Sequence, residues 1–254
     1  MNTRTQTLSN DLNLNLLEQG SGRPVLLLHG GGGPRSIAGF ADAMAQGARV
    51  IAPIHPGFDG TPRPERLDSV EALAATYLDL LEQMNLKDVL VIGFSMGGWI
   101  ASCMAARDAT RLRGVVLVNA VGIVVDGEPV TDIFGMSPQE ISKLSYHDPE
   151  KFRIVPTPEQ QAAFAANIRT LAVYGGTMKD PGLAERLKTV QAPTLVAWGE
   201  SDRIATPAYG QAYAKAFGNG RFASIAEAGH MPQLEQPQHL LAAVREFDAS
   251  LDKN

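Results

Sequence analysis

Residues 89–98 read Val-Leu-Val-Ile-Gly-Phe-Ser-Met-Gly-Gly, and this stretch restricts the possible folds more than any other. Four consecutive apolar residues suit a strand buried on both faces of a parallel sheet. Gly93 and Gly97 flank Ser95 in the spacing G-x-S-x-G, and the residues beyond, to about Arg107, read as a helix. A strand that becomes a helix within so few residues presses the flanking positions against neighbouring backbone, where a side chain would collide. Such a turn lifts the serine clear of the sheet and places it at a helix N-terminus.

The rest of the chain supplies the sheet this turn needs. Residues 12–17 alternate apolar and polar, as a half-buried strand does, and Gly20-Ser21-Gly22 marks a turn. Val25 to Leu28, Arg49 to Pro53 and Val115 to Val118 are further strand candidates. Residues 69–84 carry apolar side chains at helical spacing, with Asp68 or Ser69 as cap. Alternation of strand and helix indicates a parallel sheet with helices on both faces. The rhythm stops near Gly122 and resumes at Thr194 to Trp198. Within the gap, Ser137-Pro138-Gln139-Glu140 and Thr157-Pro158-Glu159-Gln160 both read as capped helix starts, the second helix reaching about Tyr174. The expected organisation is therefore a core of residues 1–122 and 186–254 with a helical insertion at 123–185. A helix at about 207–217, a strand at about 221–226 and a helix at about 237–250 complete it. Hydrophobic residues, 44% of 254, suffice to fill one core.

Ser95 is a weak nucleophile unless a base removes its proton. His230 sits in a short loop after the last strand, at the carboxyl edge where such folds gather functional groups. Asp202 follows the strand at 194–198 and is the expected acid that orients the imidazole. The chain order Ser95, Asp202, His230 is that of nucleophile, acid and base in hydrolases built on this turn. Asp126 is a rival acid, although Val125-Asp126-Gly127 also reads as a plain turn. An oxyanion would need two backbone donors, expected at Met96 and at Gly31 in the run His29-Gly30-Gly31-Gly32-Gly33, with Gly32 as second choice. His29 and His55 are expected to tie their loops through side-chain to backbone bonds. Phe134, Met136, Tyr146 and Phe164 either line an apolar pocket or pack the insertion onto the core.

Other chemistries lack support in the sequence. Lys and Arg total 22 against 27 Asp and Glu, a net charge of −5, without the clustered cations that nucleic acid requires. The glycine run has Arg35 and Ser36 where a dinucleotide fingerprint needs its third glycine, and no G-K-[ST] follows. Cys103 is the single cysteine, so neither a disulfide nor a cysteine metal cluster is expected. No run approaches the ~20 apolar residues of a membrane span, and residues 1–7 lack a secretory leader, so a cytoplasmic setting without membrane attachment is expected.

The segments His29-Gly30-Gly31-Gly32, His55-Pro56-Gly57, Gly93-Phe94-Ser95-Met96-Gly97-Gly98, Trp198-Gly199-Glu200-Ser201-Asp202 and Gly229-His230 together resemble lidded members of the α/β-hydrolase superfamily, over essentially the whole chain. The resemblance implies an eight-stranded, mostly parallel sheet, a helical cap over the site, and the second residue after His29, Gly31, as an oxyanion donor. It implies a serine hydrolase of small carboxylic esters or lactones with an apolar part, acting through an acyl-enzyme on Ser95 and needing no cofactor or metal. Alternatives on the same fold are a C–C bond hydrolase of ring-cleavage products, a perhydrolase or acyltransferase, and a ligand receptor without turnover. The C–C hydrolases usually carry asparagine before the nucleophile and tryptophan after the histidine, where this chain has Phe94 and Met231.

Overall fold

A computed structural model describes residues 2–153 and 156–253. Eight strands form one sheet: β1 (Asn2–Thr7), β2 (Asn13–Gln19), β3 (Pro24–Leu28), β4 (Arg49–Pro53), β5 (Val89–Phe94), β6 (Leu112–Val118), β7 (Thr194–Gly199) and β8 (Gly220–Ile225). Their order is β1-β2-β4-β3-β5-β6-β7-β8. The β1–β2 and β2–β4 pairs are antiparallel and every later pair is parallel. This is the α/β-hydrolase arrangement that the motifs imply. The chain's first strand has no counterpart in the sequence reading, because Thr3-Arg4-Thr5-Gln6-Thr7 is a polar edge strand with no apolar alternation.

The helices, in chain order, are α1 (Ala38–Met44), α2 (Val70–Gln83), α3 (Met96–Arg107), α4 (Pro138–Ser145), α5 (Pro158–Gly175), α6 (Leu183–Leu187), α7 (Pro207–Ala216), α8 (Pro232–Glu235) and α9 (Pro237–Ser250). Each central strand splits its side chains between two cores. Leu26, Leu28, Val89, Val91, Val115 and Leu117 face α2, α3 and α7, whereas Val25, Leu27, Leu90, Ile92, Val116 and Val118 face α1 and α9. That two-sided burial is why these strands read as unbroken apolar runs. Each such side chain, taken fully from water, contributes about 1.5–3 kcal/mol.

Between β6 and β7, both capped starts read from the sequence are helix starts. Ser137 and Glu140 form a capping box at α4, and Thr157 and Gln160 form one at α5. Helix α5 rests on the loop after β4. The Tyr174 hydroxyl donates to Pro56 O at 2.9 Å and the Thr170 hydroxyl to Gly57 O at 2.9 Å. Asn167 Oδ1 accepts from the Asp59 amide at 3.0 Å. Helix α6 spans residue 185, and Leu183 and Leu187 sink fully into the α2–α3 core. Among the described residues no helix is long and apolar enough to cross a membrane.

The turn at Ser95 depends on close backbone contact. A Cβ on Gly93 would lie 2.2 Å from Gly97 O, and one on Gly97 would lie 2.2 Å from Leu28 O. Gly39, in α1, has open space around the same position. Gly97→Ala is therefore expected to lower stability in urea titrations by about 1–3 kcal/mol or more, through forced backbone movement. Gly39→Ala is expected to raise it by about 0.5–1 kcal/mol, through lower chain entropy.

Candidate active site

Parallel strands that end in register bring the functional loops to one edge. Phe94 pairs with Val118, Val118 with Ala197, and Gly199 with Ile225. The ladder runs one residue further, with the Ser95 amide bonded to Val118 O at 2.9 Å and the Asn119 amide to Ala197 O at 3.1 Å. Ser95 holds φ 52° and ψ −115°, a strained conformation for a residue with a side chain. Its carbonyl accepts from the Gly98 amide at 2.9 Å and the Trp99 amide at 3.2 Å, which holds the turn in place.

The structure brings together the three side chains singled out in the sequence. His230 Nε2 lies 3.0 Å from Ser95 Oγ, and His230 Nδ1 lies 2.8 Å from Asp202 Oδ2. Because the carboxylate can only accept, Nδ1 carries the proton and Nε2 offers a lone pair to the serine hydroxyl. Asp202 Oδ1 accepts from the Ile204 amide at 2.8 Å and the Ala205 amide at 3.1 Å, which fixes the carboxylate. Asp126 is exposed on the turn that its sequence suggested, and Glu200 is also exposed.

One residue of the site escaped the sequence reading. Asn119 is fully buried, with φ 46°, just beyond β6. Its Nδ2 donates to Asp202 Oδ2 at 2.7 Å and to Gly229 O at 3.3 Å, and its Oδ1 accepts from the Gly199 amide at 3.3 Å. A single amide thus joins the strand end beside Ser95 to both the acid loop and the histidine loop. The only hint in the sequence is a polar residue where the apolar run Val115 to Val118 stops.

Met96 directly follows Ser95, and Gly31 lines the cleft that Ser95 faces. The Met96 amide opens α3, where free N–H groups and the helix dipole favour negative charge. Among the described residues neither the Met96 nor the Gly31 amide has a protein acceptor. A Cβ on Gly31 would meet the end of the Leu171 side chain of α5 at 2.8 Å, so a side chain there would displace that leucine.

Below this loop lies a buried pair of imidazoles. His29 Nδ1 donates to Gly30 O at 2.8 Å, leaving Nε2 to accept from the His55 amide at 3.1 Å. His55 Nε2 donates to His29 O at 2.9 Å, leaving Nδ1 to accept from the Tyr77 hydroxyl. Both histidines therefore stitch the two loops together, as their positions suggested. Burial holds the His29 imidazole down at about 4. Burial, and then the neighbouring His29 charge, holds His55 well below its ordinary range.

A cavity of about 420 Å³ opens onto Ser95 and His230, within the size range of small-molecule sites. Tyr146, Phe164 and Leu171 from the insertion border it, while Phe134 and Met136 pack against the core instead. Elsewhere, Glu71, Cys103 and Asp180 bring ligand atoms within 4.8 Å of one another. Arg186 already ion-pairs with both carboxylates, and burial, then the Glu71 charge, pushes the Cys103 thiol up to about 12. That donor set suits the guanidinium rather than a metal.

A family model described as the alpha/beta hydrolase family matches residues 25–244. The chain belongs to that family. Among its relatives, the 2-hydroxy-6-oxo-2,4-heptadienoate hydrolase of Pseudomonas putida is 27% identical, over 96% of each chain. The 2-hydroxymuconate semialdehyde hydrolase of Pseudomonas putida is also 27% identical, over 94% of this chain and 91% of the relative. Two solved structures share the fold. A meta-cleavage product hydrolase from Pseudomonas fluorescens has a TM-score of 0.80 at 20% identity, covering 97% of each chain. A thermophilic esterase from Thermogutta terrifontis has 0.78 at 24% identity, covering 99% of each.

Two outcomes follow for this alpha/beta hydrolase. His29 and His55 stay neutral in the folded chain at pH values where the unfolded chain's imidazoles take up protons. The contribution of these two imidazoles to stability should be present in full above pH 6.5 and lost as pH drops toward 4; the His29 difference alone, from 6.5 to about 4, corresponds to about 3 kcal/mol. Melting temperatures measured between pH 7.5 and 4.5 should fall accordingly, and less steeply in His29→Asn. Asn119→Ala leaves a buried Asp202 oxygen and the Gly199 amide short of partners. It should cost about 1–3 kcal/mol in chemical denaturation.

Proposed function

We propose that the protein is a serine hydrolase of small, neutral carboxylic esters or lactones with an apolar acyl or alcohol part. Ser95 Oγ attacks the carbonyl carbon while its proton passes to His230 Nε2, and Asp202 stabilises the resulting imidazolium. The negative oxygen is held by the Gly31 and Met96 amides. The C–O bond then breaks, and the leaving alkoxide takes the proton from His230. Water, deprotonated by His230, attacks the acyl-enzyme, and Ser95 leaves with its proton restored. Helices α4 and α5 act as a cap that keeps the apolar part of the substrate from water.

The observation that carries this reading is the Ser95–His230–Asp202 relay opening onto a cavity in which, among the described residues, no buried Lys or Arg takes part. Among the described residues the cavity's one bordering Lys or Arg is Arg35. Its side chain is 77% exposed and sits 3.7 Å from Asp59. An anionic substrate entering the cavity would exchange water for apolar walls without a matching charge, which is costly. A neutral ester would not.

A second reading, C–C bond hydrolysis, draws support from the likeness to the 2-hydroxy-6-oxo-2,4-heptadienoate and 2-hydroxymuconate semialdehyde hydrolases of Pseudomonas putida. Against it stand the Phe94 and Met231 departures and the cavity's lack of an inner cation for a dienoate carboxylate. Ser95→Ala should lower hydrolysis of a short-chain p-nitrophenyl ester by about 10³-fold or more while the fold is unchanged by circular dichroism. A variant at the wild-type rate would rule the mechanism out. The wild type should also leave the absorbance of a 2-hydroxy-6-oxo-dienoate essentially unchanged. Dienoate turnover faster than that of every ester in a short panel would replace the ester reading with the C–C one.

A further inference from the structure

Helix α8 follows His230 closely and ends in a buried carboxylate, Glu235, only 8% exposed. Its bonding partners are backbone N–H groups from two separate parts of the chain. Oε2 accepts from the Gly229 amide at 2.6 Å, immediately before His230. Oε1 accepts from the His147 amide at 2.8 Å and the Asp148 amide at 3.3 Å, just past the end of α4. A buried carboxylate is unfavourable unless its oxygens are bonded, so these amides and Glu235 hold one another in place.

The same seam carries further bonds. The His230 amide donates to Ser145 O at 2.6 Å, and a Cβ on Gly229 would lie 2.3 Å from that oxygen. From the Asp202 side, the Arg203 amide donates to Leu144 O at 3.2 Å and Arg203 Nη1 to Lys143 O at 2.7 Å. The carbonyls that α4 leaves free at its C-terminus are thus taken up by the loops that carry the base and the acid. Among the described residues, Glu235 is the one side chain whose hydrogen bonds reach both the base loop and the segment after α4.

We propose that Glu235 is a positioning residue: it sets the His230 backbone and the seating of α4 over the cavity through a single carboxylate. Its effect on turnover rests on the serine-hydrolase reading; its effect on the His230 geometry does not. A misplacement of about 1 Å at a reacting group costs about 10²-fold in rate.

Glu235→Gln preserves volume but turns one accepting oxygen into a donor that faces an N–H. The variant should remain folded by circular dichroism. Its kcat on a p-nitrophenyl ester should fall by about 10²-fold with a much smaller change in KM. The strongly deshielded His230 Nδ1 proton in the 1H NMR spectrum should shift or broaden. A merely stabilising role would leave kcat and that proton untouched below the melting temperature. A folded Glu235→Gln with wild-type kcat and a wild-type Nδ1 proton overturns the proposal.

Should that variant not fold, His147→Pro compared with His147→Ala asks the same question, because the pair differ in the N–H that reaches Glu235. Tyr146, at φ −112° and ψ 147°, already has the backbone that a following proline requires. His147→Pro should show the lower kcat and the shifted proton; equality of the two variants overturns the proposal. A wild type that cleaves no ester and does not react with a fluorophosphonate removes the serine-hydrolase reading. The Nδ1 proton of Glu235→Gln against wild type then decides the role of Glu235 alone.

Discussion

The contact between the Ser95 turn and the end of β3 governs the layout of the whole site. A Cβ on Gly97 would fall 2.2 Å from Leu28 O, so a residue without a side chain is needed for α3 to leave β5 at the angle it takes. That angle puts the N-terminus of α3 beside the loop that starts at His29. Ser95 and the glycine run after His29 then border one cavity. The strain at Ser95 persists because the turn is bonded on both sides, through its amide to β6 and through its carbonyl to α3. A sheet buried on both faces supplies the stiffness that this requires.

Around that contact the polar groups are organised in closed sets. His29, His55 and Tyr77 satisfy one another beneath the glycine run, with the tautomers determined by which backbone atoms each ring nitrogen meets. Asp202 has four partners, of which Asn119 is the one contributed by the strand next to Ser95. Glu235 forms a third set with the amides of Gly229, His147 and Asp148. Buried polar networks of this kind specify a unique geometry because any group left unmatched in a low-dielectric interior is costly. The insertion reaches the surroundings of all three sets, through Asn167, Thr170 and Tyr174 on the His55 loop, through the carbonyls of Lys143 and Leu144 on Arg203 beside Asp202, and through residues 145–148 on His230 and Glu235. Its residues that border the cavity are therefore linked to the site by specific bonds as well as by apolar packing.

Much of this was legible in the residues. The runs at 25–28, 89–92 and 115–118 announce two-sided burial, and the capping boxes at Ser137 and Thr157 are read directly as helix starts. What escaped detection has a common cause. The strand at Asn2–Thr7 is an edge with polar side chains, and α1 is rich in small residues, so neither shows a period. Asn119 and Glu235 look like ordinary polar residues at a strand end and in a loop. Tyr146 and Phe164 could not be told from Phe134 and Met136, since all four are apolar residues in one insertion and differ only in what surrounds them.

The sequence by itself determined the α/β alternation, the glycine-flanked turn and the identity of the three groups with the right chemistry, because periodicity, tight turns and chain order are local properties. Tertiary structure alone decided that Ser95, Asp202 and His230 stand within hydrogen-bond reach, that Asn119 and Glu235 brace them, and that the cavity has apolar inner walls with its cation at the rim. Those outcomes depend on strand register and on groups up to 135 residues apart meeting within hydrogen-bond distance. No local pattern records such distances.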